Sequence, residues 1–227
     1  MPQPPQVPTT MLAQATLRAL RAVSSDPALL RKTPTPATLT LLQTQTNKAA
    51  QSTGNKVTDQ EAAFAEVLAA SGFTFLAKTA TPTTGIYYVY QPGGSQTEDD
   101  FHLLECAGGI TRATHSLDLK HTLSSTFFLN DGWFNPGTIY VISWNEGTQA
   151  RPVPRTHVAL GKDIPSAEES AFMAELQRFK AEKNSATKKV GSLRPYVRFA
   201  NRYTCDRFDP ATAAAHLAAV EAVVSSK

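Results

Sequence analysis

A chain of 227 residues, 41% of them hydrophobic, has enough apolar side chain to fill a full domain core, and its net charge of +3 is only mildly basic. Two cysteines, Cys106 and Cys205, are too few for a disulfide framework and lack zinc-ligand spacing, so both are expected as reduced thiols. No stretch approaches the roughly 18 apolar residues that span a bilayer, and the start Met1-Pro2-Gln3-Pro4-Pro5 has no signal-peptide character, which predicts a soluble, cytoplasmic protein.

Residues 1–56 are biased toward Pro, Gln, Thr, Ala and Ser and read as an N-terminal, partly helical extension to a second unit over 57–227. Leu12, Leu17, Leu20 and Val23 recur at helical spacing from Met11 to Val23; Asp26-Pro27 and Thr33-Pro34-Thr35-Pro36 break the pattern, and a second helix is expected over 37–50. The extension would either wrap a partner subunit or DNA, or be weakly ordered. Thr58-x-x-Glu61 has the form of a capping box opening a helix to Ala70, with Phe64, Val67 and Leu68 buried and Gly72 as its stop.

Gly85 to Tyr90 is β-rich and ends at Pro92-Gly93-Gly94. A hairpin then turns around Gly108-Gly109. Pairing Asp100 with Asp118 puts Phe101, Leu103, Leu117 and Leu119 on one face, which suits a core, and gathers Asp100, His102, Ser116, Asp118 and Lys120 on the other. A strand over 126–129, a turn at Asn130-Asp131-Gly132 and a strongly apolar strand over 138–144 follow. Residues 147–154 look like a loop, and 156–160 a short strand. The helix expected over 167–183 would bury Phe172, Leu176 and Phe179, with Arg178, Lys180 and Lys183 turned away. An aromatic-basic extended segment spans 194–203, and Pro210 opens an alanine-rich helix to about Ser225. The order of elements predicts an α/β fold, a mixed central sheet flanked by helices.

Two carboxylates and a lysine brought together by the pleat can hold a divalent metal and activate water for phosphodiester cleavage. Asp100, seventeen intervening residues and Asp118-Leu119-Lys120 resemble the PD-(D/E)XK nuclease signature, and in particular type II restriction endonucleases. The flanks are similar as well: Gln91 to Gln96 before the acidic step, and Asp118 to Thr122 running into Phe127 to Trp133. The resemblance covers about residues 58–145. One departure is Asp99, which stands where the family has proline; parity favours Asp100 over Asp99 as the first ligand. The resemblance implies a restriction-endonuclease-like core and a Mg2+-dependent, sequence-specific cleavage of double-stranded DNA to 5′-phosphate and 3′-hydroxyl ends by a homodimer. Asp100, Asp118 and the carbonyl of Leu119 would hold the metal, and Lys120 would sit beside the attacking water. Glu61 is a further candidate near the metal, although its capping role explains it equally well.

For DNA contacts the residue types suggest Gln91, Gln96, Asn130 and Asp131 at base edges. His102 lies on the carboxylate face and suits a phosphate or a metal-bound water. Arg151, Arg155, Lys188, Lys189 and Arg194 suit phosphates, as does the excess of ten Lys/Arg over five Asp/Glu from Ala171 to Lys227. His115 and His121 share the core-facing parity and read as structural, while His157 and His216 belong to no constellation. The rival readings are another nuclease on the same fold, for repair, junction resolution or DNA degradation, and a non-catalytic DNA-binding protein whose Asp and Lys form a surface ion pair.

Overall fold

The computed structural model describes residues 10–45, 57–92, 99–124, 126–130, 133–148, 150–186, 200–205 and 208–226. Five helices, α1 (Met11–Ser25), α2 (Pro36–Gln43), α3 (Asp59–Ala70), α4 (Ala167–Ala186) and α5 (Pro210–Ser225), accompany strands β1 (Thr74–Phe75), β2 (Gly85–Tyr90), β3 (Phe101–Ala107), β4 (Ile110–His121), β5 (Thr126–Asn130), β6 (Ile139–Thr148), β7 (Arg151–Leu160) and β8 (Ala200–Thr204), with a 3-10 turn over Pro27–Arg31. Six strands form one mixed sheet in the order β1-β2-β3-β4-β6-β7, and β5 pairs with β8 in a second, two-stranded sheet.

Alternation along the central strands gives the sheet two apolar faces. Tyr88, Tyr90, Phe101, Leu103, Leu117, Leu119, Ile139 and Val141 pack with residues of α1, α3 and α5. Tyr140, Ile142 and Trp144, the alternate positions of β6, pack instead with Phe127 and Leu129 of β5 and with Phe134 and Phe208. Helices therefore cover one face and the small sheet covers the other. Strand β4 runs parallel to β6, and the crossover that parallel neighbours require carries β5 rather than a helix.

The helical segment of 1–56 is built into the same core as α3 and the sheet: Leu12, Leu17, Leu20, Val23, Leu30 and Leu42 are all buried in it. Thr10 caps α1 by accepting from Ala13 N, and Glu105 of β3 accepts from Leu12 N at 3.2 Å. Arg18 donates to the carbonyl of Ser71 at the end of α3 at 2.8 Å. Helix α2 stops at Gln43, short of the predicted 50, and residues 46–56 lie outside the described residues.

Three expectations are corrected. Residues 147–154 are not a loop, because β6 and β7 form a continuous hairpin ladder from Ile139↔Leu160 to Thr148↔Arg151. Pro152 and Pro154 do not interrupt it, because β7 is an edge strand, where a residue without an N–H costs no ladder bond on its open side. In α4 the buried side chain is Met173, whereas Phe172 and Phe179 are exposed. His157 and His216 do meet: His157 Nε2 lies 2.9 Å from His216 Nδ1, and the His157 ring stacks on Phe208 at 3.9 Å between centroids.

The turn before β6 is locked onto the residue after β7. Gly161 N donates to Thr138 O at 2.9 Å, and a Cβ at Gly161 would strike the Asn135 carbonyl oxygen and the Tyr140 ring. Both obstacles are fixed, one as backbone and the other as a buried ring. Gly161→Ala should cost about 1–3 kcal/mol, as overpacking does, and lower the melting temperature by several degrees in a thermal scan. An unchanged melting temperature would mean that the turn yields freely.

Candidate active site

The hairpin of β3 and β4 positions the site. Phe101 pairs with Leu117, His102 with Ser116 and Leu103 with His115, the register that places Asp100 level with Asp118. That register would not bring the strands to Gly108-Gly109, and a bulge between Glu105 and Cys106 absorbs the extra residue so that Ala107 pairs with Ile110. Both turn glycines have positive φ, 60° and 82°, as a two-residue hairpin turn requires.

At the opposite end of the hairpin the ladder opens. Strand β3 begins at Phe101, so Leu119 has no backbone partner there; its N–H donates instead to Asp100 Oδ2 at 2.8 Å. Because the N–H and C=O of one residue leave a strand on the same side, the Leu119 carbonyl faces this gap too. Its side chain is buried in the helix-side core. Asp118, on the opposite face, receives Lys120 Nζ on Oδ1 at 2.7 Å. Their side chains are only 16% and 25% exposed, so this is not a solvated surface ion pair.

Helix α3 brings in a third carboxylate. Glu61 Oε2 accepts from Thr58 N at 2.6 Å and Thr58 Oγ1 at 2.7 Å, which completes the capping box, while Oε1 accepts from Tyr90 Oη at 3.0 Å. One side chain thus caps its helix and reaches the open end of the sheet. Tyr90 in turn accepts from Gln91 Nε2 at 3.0 Å, and Gln91 Oε1 is buried with no hydrogen-bond partner. Gln91 also holds a left-handed backbone, φ 43°, uncommon for a residue with a Cβ.

Electrostatics follow from this crowding. Burial pushes the Asp100 carboxyl well above its usual range, and the neighbouring charges of Asp118 and Glu61 push it further, against the Leu119 N–H and Lys120, which favour ionisation. Asp118 is raised as well, by burial, with Lys120 and a hydrogen bond to Asp100 opposing. Asp100 and Asp118 act as one pair that holds a proton above the ordinary carboxylate range. Tyr90 is pushed upward by burial and by Glu61, so its hydroxyl stays a donor.

Asp99 belongs to a different network. It accepts from Thr138 Oγ1 at 3.0 Å and faces His102 Nε2 at 3.7 Å. Burial opposes its charge, but hydrogen bonds from His102, Ser116 and Thr138 prevail and hold it below the usual range. It supports the turn that precedes β6, and Asp100 is the one that meets Asp118.

Of the other candidates, Gln91 donates its amide to Tyr90 Oη, which in turn holds Glu61. Arg151 and Arg155 lie on the β6–β7 hairpin, exposed, with Arg155 paired to Glu146 at 2.7 Å. Asn130 ends β5, and its side chain lies outside what the structure describes, as do Gln96, Asp131, Lys188, Lys189 and Arg194 as whole residues. The sequence reading missed Tyr90, whose contact with Glu61 joins residues far apart in the chain. It also missed Arg31, whose guanidinium contacts both ring nitrogens of His121 at 3.0 and 2.9 Å, next in sequence to Lys120. Arg31, Lys32, Thr58 and Gln60 line a cleft of about 280 Å³ beside His121.

Among the described residues no three His, Cys, Asp or Glu side chains are gathered as a self-sufficient metal cage. The set available is two carboxylates with a strand carbonyl and an orphaned amide oxygen. No helix among the described residues is long and apolar enough to cross a membrane. Comparison with protein-family models, curated proteins and solved structures finds no match for this chain.

Proposed function

We propose that this protein is a Mg2+-dependent endonuclease acting on double-stranded DNA, with a restriction-endonuclease-like core of the PD-(D/E)XK type. The observation that carries the reading is the convergence of Glu61 of α3, Asp118 and Lys120 of β4, and Asp100 just before β3, where the β3–β4 ladder opens. Such a group is costly for folding: two carboxylates buried together repel and must hold a proton. Proteins keep arrangements of this kind where chemistry needs them.

The donor set fits magnesium. That ion keeps several waters and takes one or two carboxylates plus substrate phosphate oxygens rather than an all-protein cage. Asp100, Asp118 and the Leu119 carbonyl would hold it, and the unpartnered Gln91 Oε1 suits a proton of a coordinated water. When bound, the ion supplies neutralisation of the phosphoryl oxygens and acidification of its water.

The chain's own residues then divide the work. Asp100 and Asp118 would give up their shared proton on holding the cation. Lys120, held on Asp118, presents its remaining N–H groups to the attacking water and to the phosphoryl oxygen on which charge develops. Tyr90 keeps Glu61 fixed and the inner wall of the site dry. Water forms the new P–O bond as the bond to the 3′ oxygen breaks, which leaves a 5′-phosphate and a 3′-hydroxyl. The β6–β7 hairpin runs on past the end of β4, from Ile142 level with Lys120 to Thr148. At about 3.3 Å per residue its tip, with Arg151, stands roughly 20 Å beyond the site and Arg155, opposite Trp144, about 7 Å beyond it, where both suit the phosphates of a bound duplex.

The test is incubation with long unmethylated duplexes, with magnesium and with chelator. Metal-dependent cleavage is expected, and Lys120→Ala should slow it by about 10²–10⁴-fold. Discrete fragments support the restriction reading, and a smear supports another nuclease on this fold. DNA intact with magnesium across many sequences would overturn the nuclease reading.

A further inference from the structure

We infer that α4 is a self-association surface on which a second copy of this chain docks antiparallel about a two-fold axis. Helix α4 spans 20 residues and buries Met173, while Phe172 is 59% exposed and Phe179 46% exposed. Phe172, half-buried Leu176 and Phe179 recur at the helical spacing of four and three, so they form one stripe along about 10 Å of helix. Two exposed phenylalanines on one stripe are not the scattered apolar residues of an ordinary surface; they mark an interaction site.

The charges on this stripe select the occupant. Its N-terminal end carries Glu168, one turn before Phe172, and its C-terminal end carries Lys183, one turn after Phe179. A two-fold axis between Glu175 and Leu176 brings Phe172 opposite the partner's Phe179 and Glu168 opposite the partner's Lys183, both in one register. The same axis generates the reciprocal pairs, as an isologous contact requires. A parallel arrangement would oppose like charges. Lys183 already lies 5.3 Å from the Phe179 ring centroid and 3.2 Å from Glu182, so the basic end is held beside the aromatic that would be covered. The stripe is complementary to itself at its two ends, and the exposed Glu175 lies beside the axis between them.

This inference does not depend on the nuclease reading, and its test measures mass and not cleavage. Sedimentation velocity of the full chain from 1 to 200 µM, roughly the range in which an interface of this modest size associates, should show a concentration-dependent dimer. Phe172→Glu with Phe179→Glu should raise the dissociation constant at least about tenfold and leave the circular dichroism spectrum unchanged, because both side chains are exposed. Lys183→Glu should weaken the dimer, and adding Glu168→Lys should restore it. A monomer at every concentration, or a dimer indifferent to the double phenylalanine replacement, would overturn the assignment. So would a charge exchange that fails to restore.

Discussion

Asp100→Asn is expected to give a protein that melts at a higher temperature than the wild type at pH 8 without metal, and that cuts DNA far more slowly. The sign follows from the site. The folded state holds a proton on the Asp100–Asp118 pair that the unfolded state has already released, so folding is opposed as pH rises above the ordinary carboxylate range. Asparagine reproduces the protonated form. Its Oδ1 accepts from Leu119 N as Asp100 does at 2.8 Å, and its amide donates toward Asp118 where the shared proton stood. The gain should be on the order of 1 kcal/mol or more, which for a domain of this size is about 2–4 °C per kcal/mol. It should shrink toward acidic pH, where the wild-type pair carries its proton without penalty.

The same replacement removes a ligand charge, so cleavage should fall on the order of 10³-fold. Magnesium should raise the wild-type melting temperature and leave that of the variant unchanged. A thermal scan with and without magnesium, beside the cleavage assay, tests all three signs together. Lower stability at every pH would mean that Asp100 is a structural residue whose charge the fold needs.

The hairpin was legible because alternation has only two outcomes. Once Phe101, Leu103, Leu117 and Leu119 claim the core, Asp100, Asp118 and Lys120 are forced to the other face. The Thr58–Glu61 capping box was legible because both partners lie within one helical turn. Tyr90's reach to Glu61 and Arg31's reach to His121 were not, since each joins residues far apart in the chain and neither has a sequence period. The β6–β7 ladder was hidden by Pro152 and Pro154, which break a strand only when it has a neighbour on both sides. In α4 the 3.6-residue period located the apolar stripe correctly but carries no information on whether the chain itself covers it, and it does not.

Once the carboxylate pair is removed by Asp100→Asn, acidification should destabilise the protein between pH 6.5 and about 3, and His157 should be the main cause. Burial of its ring beneath α5 and Phe208, together with the facing His216, pushes its pKa from 6.5 down to about 3. The unfolded chain therefore binds a proton near pH 6.5 that the folded chain refuses until about pH 3, and stability is lost throughout that interval as pH falls. At about 1.4 kcal/mol per pH unit, this one side chain removes roughly 2–3 kcal/mol between pH 6.5 and 4.5. His121 adds a smaller contribution of the same sign, because partial burial and the Arg31 guanidinium push it down to about 4. Because the carboxylate pair slopes the other way over the same interval, urea denaturation of Asp100→Asn at pH 7.5, 5.5 and 4.5 reads the His157 slope, and the wild-type profile should be flatter than that of Asp100→Asn. His157→Phe keeps the stack on Phe208, removes a ring nitrogen that has no partner, and, added to Asp100→Asn, should flatten the acid limb. An Asp100→Asn profile level down to pH 4.5 would require His157 to be reached by water. The opposite slopes of His157 and the carboxylate pair place the stability maximum of the metal-free protein between them. Bound magnesium, by replacing the shared proton, should shift that maximum toward alkaline pH.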